Sequence, residues 1–289
     1  METLLQVLHA LPPFALSVVK LCVWLALLWA IFVPLERLCG LHAQKVFRKA
    51  FLTDLTYFFL NSLLPKLLLV APLTMIAWGL HGITPGGLYA WVADIPLWIR
   101  FAAAVVVGEI GAYWGHRWMH ENPLLWRLHS IHHSAEEIDW LVNTRAHPLD
   151  IVFSRLFGLL PIYGLGLAQP VGTSLDIVPF LYALVGTVWS FFIHANVRWR
   201  FGYLEWIVST PAFHHWHHAK DGPEYANKNY AAIFPWVDKI FGTLYLPEKQ
   251  WPIKYGIDAP TAPSLAGQLL QPFVHRNVAV VQTADLNDS

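Results

Sequence analysis

Three stretches of this 289-residue chain are apolar over enough residues, about 20 each, to cross a lipid bilayer as helices. They are residues 14–34, 51–78 and 96–113. Two shorter apolar stretches, residues 151–167 and 177–193, would span with distortion or lie partly buried. Hydrophobic residues make up 56% of the chain and charged residues only 13%, whereas a soluble domain averages about 25% charged residues. The sequence therefore predicts an all-α fold, a multi-span integral membrane helical bundle.

The first two stretches have individual features. The first lacks a basic region before it and a small-residue cleavage site after it, so we expect it to remain as a helix rather than be removed as a signal peptide. Asn61, Pro65 and Lys66 interrupt the second stretch, which predicts either a kinked helix or two half-spanning pieces.

Histidine is concentrated in two short windows of the chain, which hold eleven of its fifteen histidines. The windows contain one H-x3-H motif beginning at His116 and two H-x2-H-H motifs beginning at His129 and His214. Residues three and four apart share one face of a helix, so each motif would aim two or three imidazoles at one point. The spacing is that of metal ligands.

The number of histidines indicates more than one metal ion. Neutral imidazole suits iron, zinc, copper and nickel. A set of eight or more converging histidines exceeds the roughly four ligands that a single tetrahedral zinc takes. A lone histidine would ordinarily be a core or surface residue, but three spaced motifs are not explained in that way. We therefore predict a site for two metal ions.

Basic residues predict how the chain is oriented. The loop after the first apolar stretch has four of them, whereas residues 79–95 after the second stretch have none. The four are Arg37, Lys45, Arg48 and Lys49. Because positive loops stay in the cytoplasm, we expect the first loop there. If all five apolar stretches cross, the three histidine motifs meet on the same face, as a histidine-rich helical cap on the cytosolic side.

Several function classes are disfavoured by what the sequence lacks. The net charge is zero and no long basic run or Gly-rich phosphate loop is present, so we expect no nucleic-acid partner. Cys22 and Cys39 form no C-x-x-C pair. The sequence contains no H-E-x-x-H, Glu-x-x-His or G-x-S-x-G motif. A nearly all-histidine, two-metal site at a bilayer surface remains, and it suits iron chemistry with O2 on a lipid.

The motifs, in this order and at the ends of membrane spans, resemble the fatty acid hydroxylase/sterol desaturase superfamily. The similarity includes residues around the histidines and covers roughly residues 100–250. The segments that resemble the family pattern are His116–Glu121, Asn143–Pro148, Phe192–Asn196, Pro211–His218, Asn229–Ala231 and Asp238–Thr243. The sequence looks most like the bacterial sterol desaturase-like branch, with alkylglycerol monooxygenases as relatives that share the His-Glu pair after the first motif. Some fatty acid 2-hydroxylases have a further H-x3-H motif, but here Arg198 stands four places after His194, which puts that assignment in doubt.

The resemblance implies a histidine-bound di-iron centre that uses O2 as co-substrate to hydroxylate or desaturate a lipid from the bilayer. No cytochrome b5 domain precedes the spans, so we expect a separate electron donor, such as a reductase, a ferredoxin or a cytochrome b5-type protein. The chain would divide into N-terminal transmembrane helices (1–95), a di-iron domain with further membrane helices (96–250) and a C-terminal tail (251–289). The bacterial inner membrane is the expected location, or the endoplasmic reticulum if the organism is eukaryotic.

Residue roles follow from the resemblance and from helix geometry. The expected metal ligands are His116, His120, His129, His132, His133, His194, His214, His217 and His218. His215 stays open: one residue turns a helix by about 100°, which aims it away from His214, yet it lies three residues before His218. Candidates for supporting the ligands are His147, Glu121 and Glu109.

Two other functions remain as alternatives. A membrane-embedded zinc hydrolase is disfavoured because hydrolytic zinc needs an open position and usually mixes carboxylates with few histidines. A non-enzymatic metal transport or binding protein would have polar residues along its spans, whereas these histidines cluster outside them.

Overall fold

A computed structural model describes residues 10–168, 176–220, 222 and 225–274. This part of the chain contains ten α-helices and two short 3-10 helices, and no β-strand beyond two isolated bridges. The α-helices are α1 Pro13–Cys39, α2 Phe51–Ile83, α3 Gly86–Ala93, α4 Leu97–Glu121, α5 Pro123–His133, α6 Pro148–Gly164, α7 Val178–His194, α8 Pro211–His217, α9 Pro235–Ile240 and α10 Leu265–Val274. The 3-10 helices are Trp140–Thr144 and Gly202–Trp206. The predicted C-terminal tail is described as far as Val274.

Helices α1, α2 and α4 are long and apolar enough to cross a membrane, with 27, 33 and 25 residues. Much of their apolar surface faces outward, for example Val23, Leu67 and Met75, as a lipid environment requires. The predicted all-α membrane fold is confirmed. Helix α2 is one continuous helix, so the prediction that this stretch forms two half-spanning pieces is wrong. Pro65 removes one N–H donor but the following turns continue the helix, since a span in lipid must satisfy its backbone internally.

The predicted third span continues beyond the membrane stretch. The apolar stretch alone, which ends at residue 113, would put His116 and His120 just past the end of the span. Helix α4 instead runs on to Glu121, so both histidines lie in its last turns. The chain then turns at Asn122, whose side chain accepts hydrogen bonds from the N–H groups of Leu124 and Leu125 and caps α5. This tight connection brings the first two histidine motifs against each other.

Helices α6 and α7 each have 17 residues, which corresponds to about 26 Å at 1.5 Å per residue. Helix α6 begins beside the histidines and α7 ends at His194, so the pair leaves the histidine cluster and returns to it. Helix α4 packs closely on α6 because it has glycine where the two meet: a Cβ on Gly111 would overlap the carbonyl oxygen of Phe157. That close approach holds the histidine-bearing end of α4 next to the start of α6.

A buried network of charged side chains joins α2 to the loop before it and to the segment after α5. Asp54 forms ion pairs with Arg48 at 2.6 Å and with Arg145 at 2.5 Å, and Arg48 also binds Asp139 at 2.7 Å. The side chains of Arg48 and Asp54 are almost fully buried. The network fixes the backbone at Arg145, whose carbonyl contacts a histidine of the site described below.

We expect Asp54→Asn to lower the free energy of unfolding by about 3–5 kcal/mol, because it leaves two buried guanidinium groups without their shared carboxylate. Thermal and denaturant unfolding of the detergent-solubilised protein would measure the loss. Glu248→Gln, at an exposed position, is the matched control and should change stability little. Equal stability of the two variants would contradict a structural role for the network.

Candidate metal centre

The nine histidines assigned as ligands lie together as two adjoining groups. The five-histidine group consists of His116, His120, His129, His133 and His217. The four-histidine group consists of His132, His194, His214 and His218. Within each group one ring nitrogen per histidine lies within 4.8 Å of those of the others. The groups touch, since the His133 ring stacks on that of His218 with centroids 4.5 Å apart.

Each H-x2-H-H motif contributes to both groups. The pairs four residues apart, such as His129 with His133 and His214 with His218, stay in one group because they share a helix face. The middle histidine of each motif, His132 or His217, belongs to the other group. Adjacent residues on a helix point about 100° apart, so a motif of this kind can bridge two centres.

Hydrogen bonds on the outer side fix three of the five rings in the five-histidine group. The Nδ1 atom of His116 donates to the carbonyl of Tyr230 at 2.7 Å, and Nδ1 of His217 donates to the carbonyl of Lys228 at 2.9 Å. Nδ1 of His129 lies 3.1 Å from the carboxylate of Asp150. Carbonyl and carboxylate oxygens only accept, so the proton sits on Nδ1 and the Nε2 lone pair points inward.

The inward lone pairs of the five-histidine group face one another. Nε2 of His116 and Nε2 of His129 are 3.0 Å apart, although both lack a proton in the tautomers just described. Nε2 of His120, His133 and His217 is buried with no hydrogen-bond partner among the described residues. Converging bare lone pairs repel each other unless a cation lies between them. The donor set therefore fits a metal ion.

In the four-histidine group, outer hydrogen bonds fix two of the rings in the same way. Nδ1 of His132 donates to the carbonyl of Arg145 at 2.9 Å, and Nδ1 of His194 donates to that of Ser190 at 2.7 Å. Their Nε2 atoms face each other at 3.2 Å. Nε2 of His214 lies 3.1 Å from that of His194, and Nε2 of His218 lies 3.2 Å from that of His214. Four Nε2 atoms thus converge on a second point.

The environment keeps these rings neutral. Burial, together with neighbouring His129, lowers the pKa of His132 to about 3. Burial and the surrounding imidazoles also hold the pKa values of His133, His214, His217 and His218 well below the usual range. A neutral imidazole is the form that binds a metal, so protons do not fill the cation's place at neutral pH.

The remaining sequence candidates lie outside the two groups. Nδ1 of His215 lies 2.8 Å from the Tyr255 hydroxyl and Nε2 donates to the carbonyl of Ala195 at 3.1 Å. His215 therefore points away from the group that His214 joins, and the structure favours the alternative in which it is not a ligand. His147 caps α6, accepting from the N–H of Leu149, and its Nε2 contacts the carbonyl of Leu269.

The two glutamates proposed from sequence support the site less directly than expected. Glu121 pairs with Arg117 at 2.7 Å and its side chain is 43% exposed, so it binds a surface cation and not a ligand ring. Glu109 accepts hydrogen bonds from the N–H groups of Ile233 and Phe234. It holds the segment that places the Tyr230 carbonyl on His116.

Two carboxylates that the sequence analysis missed lie closer to the histidines. Asp150 contacts His129 directly and is buried. Asp238 accepts from the N–H groups of Tyr230 and Ala231, and burial raises its pKa to about 6. In the sequence Asp150 resembles an ordinary acidic residue in the first turn of a helix, and only its burial beside His129 distinguishes it.

Comparison with known proteins gives relatives for the part of the chain that carries the histidines. Residues 101–243 match the Fatty acid hydroxylase family. The chain is 36% identical over 187 residues to Ornithine lipid hydroxylase OlsE of Rhizobium tropici, covering 63% of this chain and 53% of that protein. It is 32% identical over 167 residues to Alkylglycerol monooxygenase of Homo sapiens, covering 56% of this chain and 34% of the relative. Over 159 residues it is 27% identical to Methylsterol monooxygenase 2-2 of Arabidopsis thaliana, covering 52% of this chain and 55% of that protein.

The fold and the site thus define a helical integral membrane protein with a histidine-rich metal-binding domain. More specifically, residues 101–243, just under half of the chain, match the fatty acid hydroxylase family, as the motifs predicted, and the expected relationship to alkylglycerol monooxygenases is confirmed. The matched part spans about half the length of the ornithine lipid hydroxylase and about a third of the alkylglycerol monooxygenase. No solved structure matches the chain.

Proposed function

We propose that this protein is a membrane-bound, O2-dependent di-iron enzyme that hydroxylates or desaturates a lipid. The observation that supports it most is the pair of adjoining histidine groups, in which outer hydrogen bonds turn bare Nε2 atoms toward two points. The names of the relatives, a lipid hydroxylase and two monooxygenases, support oxidation of a lipid.

The chain's own residues would bind and orient the two irons. The five-histidine group would hold one ion and the four-histidine group the other, with neutral imidazole the ligand type that suits iron. Asp150 and the carbonyls of Tyr230, Lys228 and Arg145 would keep the proton of each ring on Nδ1, away from the metal. Bound iron would supply the activation of O2 needed to oxidise an unactivated C–H bond.

The reaction needs electrons from outside the chain. Hydroxylation of a C–H bond consumes one O2, two electrons and two protons and gives an alcohol and one water. Desaturation consumes the same co-substrates and gives a double bond and two waters. The donor that we propose is a separate reductase, ferredoxin or cytochrome b5-type protein.

We also propose that the metal centre faces the cytoplasm, in a bacterial inner membrane or in the endoplasmic reticulum. The basic loop between α1 and α2 supports this orientation, as Arg37, Lys45 and Lys49 are exposed. The beginning of α6 and the end of α7 both lie at the histidines, so that helix pair returns the chain to the same face.

Isotope labelling tests the proposed reaction. Purified protein loaded with iron, reconstituted in vesicles of extracted lipid and supplied with a reductant under ¹⁸O2, should convert one lipid class. Hydroxylation would add one ¹⁸O to the lipid, and desaturation would remove two hydrogens and leave the label in water. Mass spectrometry of the lipid extract distinguishes the two products.

The control is the same protein without O2, which should leave the lipids unchanged. Cleavage of the lipid into fragments without O2, by protein loaded with zinc in place of iron, would contradict the proposed oxidation. That result would indicate the zinc hydrolase alternative. Metal-loaded vesicles that move the metal across the bilayer without changing any lipid would indicate the transport alternative.

A further inference from the structure

A cavity of about 640 Å³ lies where α1 leaves the membrane, away from the nine histidines. The last turn of α1, the loop that follows it, the 3-10 helix Trp140–Thr144 and the segment after α7 line the cavity. Its apolar side includes Trp29 and Val33 from the spanning part of α1. The cavity therefore joins the apolar layer to the polar surface, which is where a lipid headgroup lies.

The charges that line this cavity differ in whether they already have partners. Glu36 accepts hydrogen bonds from the N–H groups of Trp140 and Asn196. Asp139 binds Arg48 through both of its oxygens. The acidic groups are thus already occupied within the protein.

The cations that line the cavity are solvent-exposed. They are Arg37, Lys45 and Arg198. Arg37 uses one nitrogen to bind the carbonyl of Gln44, which leaves its other donors for a ligand. Three cations at one opening, with the carboxylates engaged, favour an acidic group as the ligand.

One residue that lines the cavity is close in the chain to the four-histidine group. Asn196 lines the cavity and exchanges two hydrogen bonds with the backbone of His42, at 2.9 and 2.8 Å. It follows His194 by two residues, and two residues of extended chain span at most about 7 Å. A lipid whose headgroup occupies the cavity would therefore be held on the same side of the protein as the four-histidine group.

We propose that this cavity binds the acidic headgroup, a phosphate or a carboxylate, of the lipid that the enzyme oxidises. Naming that lipid as the substrate rests on the proposed function, whereas binding itself needs neither metal nor turnover. The exposed cations would attract the acidic group and the apolar wall of α1 would receive the first carbons of the chain.

Equilibrium binding to the detergent-solubilised full chain tests the site. The probe is a short-chain phosphatidylglycerol, compared with the matching phosphatidylcholine, which has no net charge, and with soluble glycerol phosphate. The anionic lipid should bind most tightly. Lys45→Gln combined with Arg198→Gln should weaken its binding about tenfold, since an ion pair with an exposed cation contributes modestly. Ala43→Trp, which fills the cavity without removing a charge, should weaken it as well.

Lys49→Gln is the matched control, because Lys49 is exposed on the same loop but does not line the cavity. Equal weakening by Lys49→Gln would overturn the site in favour of general attraction to a basic surface. No preference for the anionic lipid would also overturn it, and glycerol phosphate binding as tightly as the lipid would show a site for free anions.

Kinetics separate this inference from the proposed function. If the bound lipid is the substrate, the Lys45 and Arg198 double variant should raise KM for the lipid about tenfold and leave kcat nearly unchanged. Weaker binding with an unchanged KM would overturn the assignment of the substrate. Binding that behaves as expected in a protein that oxidises no lipid would refute the proposed function alone.

Discussion

His132→Ala is expected to lower the iron content of the purified protein from about two ions per chain to about one. His132 is one of only four imidazoles in its group, and its loss leaves three. It also removes the nitrogen that faces Nε2 of His194 at 3.2 Å. The five-histidine group keeps all of its members, so the other ion should remain. Elemental analysis after purification measures the stoichiometry, and lipid oxidation should fall below detection.

His217→Ala should have a milder effect on metal content. It leaves four imidazoles in the five-histidine group, so we expect weaker binding of that iron and not its complete loss. The control within the same motif is His215→Gln, because His215 binds Tyr255 and the carbonyl of Ala195 instead of joining either group. It should retain about two irons per chain.

Three results would contradict this assignment. Loss of both ions in His132→Ala would show one shared centre instead of two separable groups. Loss of iron in His215→Gln, with the fold intact by thermal unfolding, would place that residue among the ligands. A single zinc that no variant affects would refute the di-iron site.

Asp150→Asn is expected to weaken iron binding about tenfold, and Asp150→Ala by up to about 100-fold, the range seen when a group that orients a ligating histidine is lost. Asp150 lies 3.1 Å from Nδ1 of His129 and is buried with it. Its negative charge stabilises the tautomer of His129 that has its proton on Nδ1. The lone pair of Nε2 then stays directed at the metal. Alanine would free the ring to take the other tautomer. Competition with a chelator measures the affinity.

Glu121→Gln is the matched comparison, since Glu121 is the acid that follows the first histidine motif in the sequence. Its contact with Arg117 is exposed, and such a surface pair contributes at most about 1 kcal/mol. We expect no change in iron affinity. If Glu121→Gln lowered the iron affinity as much as Asp150→Asn does, Glu121 would support the ligands as the sequence suggested. The assignment of that role to Asp150 would then be wrong.

Local patterns in the sequence predicted much of the fold. Apolar stretches of about 20 residues leave a helix as the way to satisfy the backbone in lipid, so α1, α2 and α4 follow from hydropathy. The ends of helices depend on contacts beyond the stretch itself. Helix α4 therefore extends through His120, well past the apolar stretch that ended at residue 113.

The candidate site shows the same division. Spacing on a helix selected eight of the nine histidines of the two groups, because residues three and four apart share a face, and the family resemblance added His194. Spacing carries no information on what packs against a helix. The sequence analysis therefore could not decide whether His215 is a ligand, and it proposed Glu121 as a residue that supports the ligands.

The sequence by itself determined that this is a helical membrane protein with clustered histidines that fit a metal site, because hydropathy and helical spacing are properties of short segments. Only the tertiary structure decided how the histidines divide between two points and which groups orient them. Asp150, the Tyr230 carbonyl and the Arg145 carbonyl come from segments 13 to 114 residues distant from the histidines they bind. Contacts at such separations depend on how the helices pack, which no short segment specifies.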